Sequence, residues 1–150
     1  MTTNKVFCGD AAEILKSLPQ SSANMCVTSP PYYGLRDYGI ENQIGTEQTP
    51  QQYVDRLTKV FDEVYRVLMD DGTLWLNIGD SYAGSGKGKG LLQKDNDKDR
   101  PIYDKQSGVF SMPKRWENIK QKDLIGIPWM LAFALRERGW YLRSDIIWHK

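Results

Sequence analysis

A chain of 150 residues, 40% apolar and 26% charged, suits one modest soluble domain with its own core, and no run in it is long and apolar enough to span a membrane. Two cysteines exclude a disulfide framework, and no charged leader precedes an apolar run, so a reducing, cytoplasmic setting is expected. Twenty basic and nineteen acidic side chains nearly cancel, but ten of the basic and only five of the acidic ones fall in residues 81–122, which concentrates positive charge in one segment.

In chain order, Lys5 to Gly9 is expected as a short strand, and a helix should follow from Asp10. Asp10 and Glu13 have capping-box spacing, Ile14, Leu15 and Leu18 form the apolar face, and Pro19 stops the helix. Asn24 to Thr28 is the next strand, and Cys8 and Cys26 within these two runs are expected as buried free thiols. A strand, a helix and a strand build parallel sheets, whose functional residues gather at the carboxyl ends of the strands. Gly9-Asp10 and Ser29-Pro30-Pro31-Tyr32 both lie at such ends. Each proline fixes its own φ, lacks an N–H and extends the residue before it, so the second of these loops is rigid and aims the carbonyls of Ser29 and Pro30 outward. A Pro-rich turn leaving a strand is the plainer reading of the same residues.

After a loop holding Arg36, Asp37 and Gly45, a helix should begin at Thr49, with Pro50 at its first position and Gln52 completing a capping box. Val54, Leu57, Phe61, Val64, Tyr65 and Leu68 recur at helical spacing, and Gly72 after Asp70-Asp71 is placed to end the helix in a left-handed conformation. Thr73 to Ile78 is expected as a third strand, apolar enough for burial on both faces, running into Gly79-Asp80. Residues 81–122 break the pattern as a basic, flexible insertion. A phosphate loop fits poorly here, because Ser81 stands where its first glycine is needed and Gly88 where Ser or Thr must follow the lysine. From Asp123 regularity returns: Pro128 opens a helix with Leu131, Ala132, Ala134 and Leu135 inward, ending at Gly139. Trp140 to His149 then reads as a strand with Trp140, Leu142, Ile146 and Trp148 on one face. His149 has no Cys or carboxylate at metal-ligand spacing, and no metal site is expected.

Ser29-Pro30-Pro31-Tyr32 after its strand, Gly9-Asp10 before it, the segment from Gly72 to Tyr82 and the closing Ile125 to Trp148 together resemble the S-adenosylmethionine-dependent DNA amino-methyltransferases. The order is similar to their β-type permutation, in which the catalytic motif precedes the main cofactor motif. The resemblance implies an α/β fold: a Rossmann-like methyltransferase sheet, partial and permuted here, with helices on both faces. It implies methyl transfer from S-adenosyl-L-methionine to the exocyclic amine of cytosine or adenine in double-stranded DNA. Ser29, Pro30, Pro31 and Tyr32 would be catalytic, Gly9, Asp10 and Ser29 would meet the cofactor, and a restriction endonuclease is a possible companion.

The chemistry fits that implication. The lone pair of an exocyclic amine is delocalised into its ring; if the Ser29 side chain and the Pro30 carbonyl each accept one amine hydrogen, the nitrogen is drawn towards tetrahedral geometry. Tyr32 would stack on a base rotated out of the duplex. In the family, Ser at the first position of this motif is typical of N4-cytosine enzymes and Asp or Asn of N6-adenine enzymes, so Ser29 favours cytosine. Asp10 serves equally as a helix cap, Asp80 as a strand-end acid or a turn residue, and Trp148 as core packing rather than a base contact. Lys87, Lys89, Lys114 and Arg115 of the insertion could track DNA phosphates, with Tyr103, Phe110 or Trp116 stacking; a solvated surface loop is the alternative.

The family's Phe-x-Gly-x-Gly cofactor element and a target-recognition region have no counterpart in these 150 residues. Gly86, Gly88 and Gly90 follow no strand and open no helix, so they are no substitute. The expectation is therefore the N-terminal catalytic portion of such an enzyme, which needs a C-terminal half or a complementary subunit. Rival readings are a non-catalytic DNA-binding or regulatory subunit and a methyltransferase acting on RNA or a small molecule.

Overall fold

In the computed structural model the residues described are 4–83, 102–104, 109–111, 119–120 and 122–149. The first helix, α1 (Ala11–Lys16), is capped by Asp10, whose Oδ1 accepts from the Glu13 amide at 3.1 Å. Only half of the expected box forms, because Glu13 turns to the Lys16 ammonium at 2.7 Å instead of reaching back. Strand β1 (Ala23–Thr28) follows.

Helix α2 (Pro50–Val67) has the full capping box at Thr49 and Gln52, with Pro50 at its start. These signals lie within four consecutive residues and act through local hydrogen bonds, so the start of α2 is set before any packing. Its buried face carries Tyr53, Val54, Leu57, Thr58, Phe61, Val64 and Val67; each large apolar side chain removed from water there stabilises the fold by about 2 kcal/mol. Arg66 near its end donates to the Leu15 and Leu18 carbonyls at 2.7 and 3.0 Å, satisfying the open end of α1 and tying it to α2.

Strand β2 (Leu68–Leu76) begins directly after α2, earlier than expected. Leu68 pairs with Ala23 and Thr73 with Met25, so the residues between bulge out, and parallel pairing then continues to Thr28 with Leu76. Gly72 therefore does not end the helix in a left-handed conformation, as its φ is not positive. It is required for a different reason: a Cβ there would stand 2.8 Å from the Met69 carbonyl oxygen.

β1 and β2 form a two-stranded parallel sheet. Cys26, Leu74 and Leu76 face the core cluster, which also holds Tyr33, Ile125, Ile127, Leu131 and the α2 face. Met25, Val27 and Trp75 alternate with them and are exposed, so burial on both faces is not what the third predicted strand shows. Helical cover is described on one face only, not on both as expected, and the parallel sheet among the described residues has two strands.

Helix α3 (Ile127–Glu137) packs Leu131 and Leu135 inward, with Ala134 partly buried against the core and Ala132 half-buried; Gly139, the expected end of the helix, lies just beyond it in a left-handed conformation. Tyr65, placed inward by its spacing, is half exposed, yet its ring meets Trp140 edge-on at 5.0 Å.

Two predicted strands do not form. Lys5 to Gly9 and Trp140 to His149 carry no strand, and Val6 is 97% and Trp148 77% exposed. A strand satisfies its backbone only through a neighbour, and no described strand lies beside either segment. Trp148 is thus not core packing in this structure, and Cys8 is exposed rather than buried. Cys26 is half-buried, and burial raises its thiol pKa.

Within the predicted insertion, β3 (Ile102–Asp104) and β4 (Val109–Ser111) pair antiparallel, so that segment is not wholly irregular. Its two ends are also clasped: the Ala83 amide donates to the Asp123 carbonyl at 2.8 Å and the Ile125 amide to Ser81 at 2.9 Å.

Candidate active site

Parallel pairing makes β1 and β2 end together, so Ser29-Pro30-Pro31 and Asn77-Ile78-Gly79-Asp80 leave the sheet side by side. The Asn77 amide donates to the Thr28 carbonyl at 2.9 Å, carrying the ladder one step past the strands. Of the three strand-end segments read from the sequence, Ser29-Pro30-Pro31-Tyr32 and Gly79-Asp80 are thereby adjacent.

The polar groups of the loop divide into those engaged internally and those left open. Pro31 accepts from the Tyr53 hydroxyl at 2.8 Å, and Tyr33 accepts from the Ser81 hydroxyl at 3.1 Å. The Tyr32 carbonyl accepts from the Leu35 amide at 3.4 Å, and the Gly34 amide donates to Gly45 at 2.8 Å. Among the described residues, the Ser29 hydroxyl and the Ser29 and Pro30 carbonyls are engaged by nothing. Ser29 is exposed, while Pro30, Pro31 and Tyr32 are half-buried and Tyr33 is fully buried. The backbone is gripped on both sides of these open acceptors.

Tyr32 rests against the end of β2. A Cβ at position 79 would stand 2.8 Å from Tyr32 Cε2 and 3.0 Å from Cδ2, so Gly79 gives the ring its seat. Gly79→Ala is expected to displace the Tyr32 ring, with stability changed by less than about 1 kcal/mol. A shift of the Tyr32 ring resonances in NMR spectra, alongside urea unfolding, checks it; unshifted resonances would show that the ring does not rest on position 79.

The outer wall is the loop from Leu35 to Gln48. Gln43 accepts from the Tyr38 amide and donates to the Arg36 carbonyl, each at 2.6 Å. Glu47 accepts from the Gly45 amide at 2.8 Å and from Arg56 of α2 at 3.1 Å. Tyr33 and Tyr53 meet with ring centroids 5.4 Å apart, and burial, with the nearby Glu47 charge second, raises both phenol pKa values above the usual range. Both hydroxyls remain protonated.

Asp80 proves to be a cap for α3 rather than a free strand-end acid. Its carboxylate accepts from the Ser81 amide at 2.9 Å, from Gly126 at 2.9 Å and from Ile127 at 3.1 Å. Gly126 at the N-cap has no side chain to do this. Residue 80 thus joins the loop edge to a helix that begins 47 residues later.

Gly9, Asp10 and Ser29 are all exposed, and Asp10 uses one carboxylate oxygen as the α1 cap, leaving the other open. The open Asp10 oxygen and the Ser29 hydroxyl are each able to accept from hydroxyl or amino groups, such as those of a cofactor's sugar and amino-acid portions. His149 is exposed, and among the described residues no cluster of three metal-ligating side chains occurs. Lys87, Lys89, Lys114, Arg115 and Trp116 lie outside the described residues, as do the side chains of Tyr103 and Phe110. Tyr53, Ser81, Glu47 and Arg56 were not singled out from the sequence. Tyr53 carried a signal, because a tyrosine on the inward face of an amphipathic helix needs an acceptor for its hydroxyl.

A profile of the DNA methylase family, the N6/N4 methyltransferases, matches residues 23–150. The Type II methyltransferase M.Cfr9I of Citrobacter freundii is 52% identical over 145 residues, which cover 97% of this chain and 46% of the relative. M.SmaI of Serratia marcescens is 49% identical over 97% of the chain and 47% of its own length, and M.MwoI of Methanothermobacter wolfeii is 35% identical over the whole chain and 18% of its own length. The chain spans less than half the length of these relatives. No solved structure matches it significantly. With the Ser29–Tyr32 loop, β1, β2, α2 and α3 inside the matched region, the chain belongs to the N6/N4 DNA methylase family.

Proposed function

We propose that this chain is the catalytic N-terminal portion of a site-specific DNA methyltransferase that acts on the exocyclic amine of a base rotated out of the duplex, with cytosine N4 as the target. The single observation that carries the reading is the pair of open acceptors, the Ser29 hydroxyl and the Pro30 carbonyl, in a loop whose Thr28, Pro31, Tyr32 and Tyr33 carbonyls are engaged. Two acceptors about one amine bind its two hydrogens and turn its lone pair out of conjugation. Tyr32, seated on Gly79, offers a ring face to the extruded base.

S-adenosyl-L-methionine, implied by the family, supplies an electrophilic methyl group on a sulfonium. Asp10 and Ser29 are assigned to it and would bind and orient it, with Gly9 allowing close approach. The remaining contacts, and most of the sequence reading, are assigned to the portion present in the relatives and absent from this chain. Lys87, Lys89, Lys114 and Arg115 are assigned to DNA phosphates on their charge, and their contribution should weaken steeply with added salt. The relatives are named as Type II methyltransferases, which supports a place beside a restriction endonuclease. Among the described residues no helix is long and apolar enough to cross a membrane, in keeping with action on DNA in the cytoplasm.

Target choice rests on Ser29 alone, and adenine N6 is the second reading. The test is transfer of labelled methyl to duplex DNA by this chain completed with the C-terminal part of the Citrobacter freundii relative, followed by nucleoside mass spectrometry. N4-methylcytosine is expected. N6-methyladenine would reverse the choice of base, and no transfer would leave a non-catalytic DNA-binding role.

A further inference from the structure

The prolines of the Ser29–Tyr32 loop restrain its backbone unevenly. The ring of Pro30 fixes its own φ, and Pro31 does the same for itself. Ser29 and Pro30 each precede a proline, which holds their ψ in the extended range. Upstream, the hydrogen bond from Asn77 to the Thr28 carbonyl anchors the chain to the sheet. Between the Pro30 carbonyl and the Tyr32 Cα one torsion has no such restraint, the ψ of Pro31, and it sets where Tyr32 lies relative to that carbonyl.

The Pro31 carbonyl moves directly with that torsion, and it is the group gripped by Tyr53. The phenol hydroxyl of Tyr53 donates to it at 2.8 Å from the first turn of α2. Tyr53 is itself immobilised: it is fully buried, stands against the Tyr33 ring at 5.4 Å, and belongs to a helix whose start is fixed by the Thr49–Gln52 capping box. Buried phenols without an acceptor are costly, so the hydroxyl and the carbonyl hold each other in place.

We propose that Tyr53 is a positioning residue for methyl transfer, its hydroxyl setting the Pro31 torsion that keeps the Pro30 acceptor and the Tyr32 ring in register. Tyr53 touches neither base nor cofactor. It acts through the loop, and it leaves the Pro30 carbonyl open because it takes the next one along. The assignment rests on the amine-binding role proposed above for Ser29 and Pro30.

Tyr53→Phe isolates the hydroxyl, since phenylalanine keeps the buried ring and its packing on Tyr33. In the chain completed with the C-terminal part of the Citrobacter freundii relative, kcat should fall about tenfold to a hundredfold while KM for DNA and cofactor stays within about twofold. Amide hydrogen exchange gives a readout separate from activity. The Gly34 and Leu35 amides, which bond to Gly45 and Tyr32, should exchange faster in Tyr53→Phe, and the amides of α2 should not. Unchanged kcat, or unchanged exchange at Gly34 and Leu35, overturns the positioning role. A fall in kcat accompanied by faster exchange throughout α2 also overturns it, since the hydroxyl would then be only structural. If the unsubstituted protein transfers no methyl group, the functional reading fails and this assignment fails with it; an active parent with an equally active variant removes this assignment alone.

Discussion

Replacing Ser29 by alanine in the completed protein is expected to reduce kcat about 100- to 1000-fold, the range seen when one pre-organised hydrogen-bonding group is removed from a reacting centre. Its stability should stay within about 0.5 kcal/mol, as for an exposed side chain outside any internal network. The two expectations differ so widely because of how the loop is built. Ser29 is exposed, and among the described residues its hydroxyl is engaged by nothing, so its removal leaves no buried group unpaired. The amine, by contrast, would lose one of two acceptors. The Pro30 carbonyl would still hold one hydrogen, but a single acceptor leaves the nitrogen free to stay conjugated with its ring. Single-turnover transfer from labelled cofactor, with urea unfolding of the same sample, separates the outcomes. Parallel loss of activity and stability would mean that Ser29 supports the loop rather than the chemistry. Cysteine at this position would keep the size but accept weakly, and should restore little.

Legibility in the sequence tracked the range of the interactions. Helix α2 was readable to the residue at its start because Thr49, Pro50 and Gln52 act on one another locally. Its end was misplaced by several residues, since Leu68 leaves the helix to pair with Ala23, a partner 45 positions away. Apolar content alone marked Lys5–Gly9 and Trp140–His149 as strands, but strand formation depends on a neighbour, and the described residues provide none for either. The Ser29–Tyr32 loop stood out because prolines act on their own and adjacent torsions. Its supports did not: the grip of Tyr53 on Pro31 and of Ser81 on Tyr33 spans 22 and 48 positions and leaves no spacing to read. Asp80 reads from the sequence as a strand-end acid or a turn residue, and its hydrogen bonds to Gly126 and Ile127 give it a third role, the cap of α3. Such a contact is invisible in a pattern search, because capping is normally sought within a few residues of the helix it serves.

That cap makes Asp80→Ala the substitution with the largest expected effect on stability. Three backbone amides, those of Ser81, Gly126 and Ile127, converge on one half-buried carboxylate. Gly126 lies in the left-handed region with φ of 86° and cannot supply a replacement cap from its own side chain. Removing the carboxylate orphans these donors and takes negative charge from the positive end of α3, and the combined loss is about 3 kcal/mol. Asp80→Asn retains one acceptor oxygen and should cost about half as much. The damage should also reach the site, because Gly79 precedes the cap and Ser81, which holds the Tyr33 carbonyl, follows it. Denaturant unfolding of the completed protein and its two variants measures the ordering. Transfer assayed well below the unfolding midpoint then asks whether the loop has shifted. A loss of stability below about 1 kcal/mol in Asp80→Ala would mean that water caps α3 as well as the carboxylate does, and the link between the loop edge and this helix would lose its energetic basis.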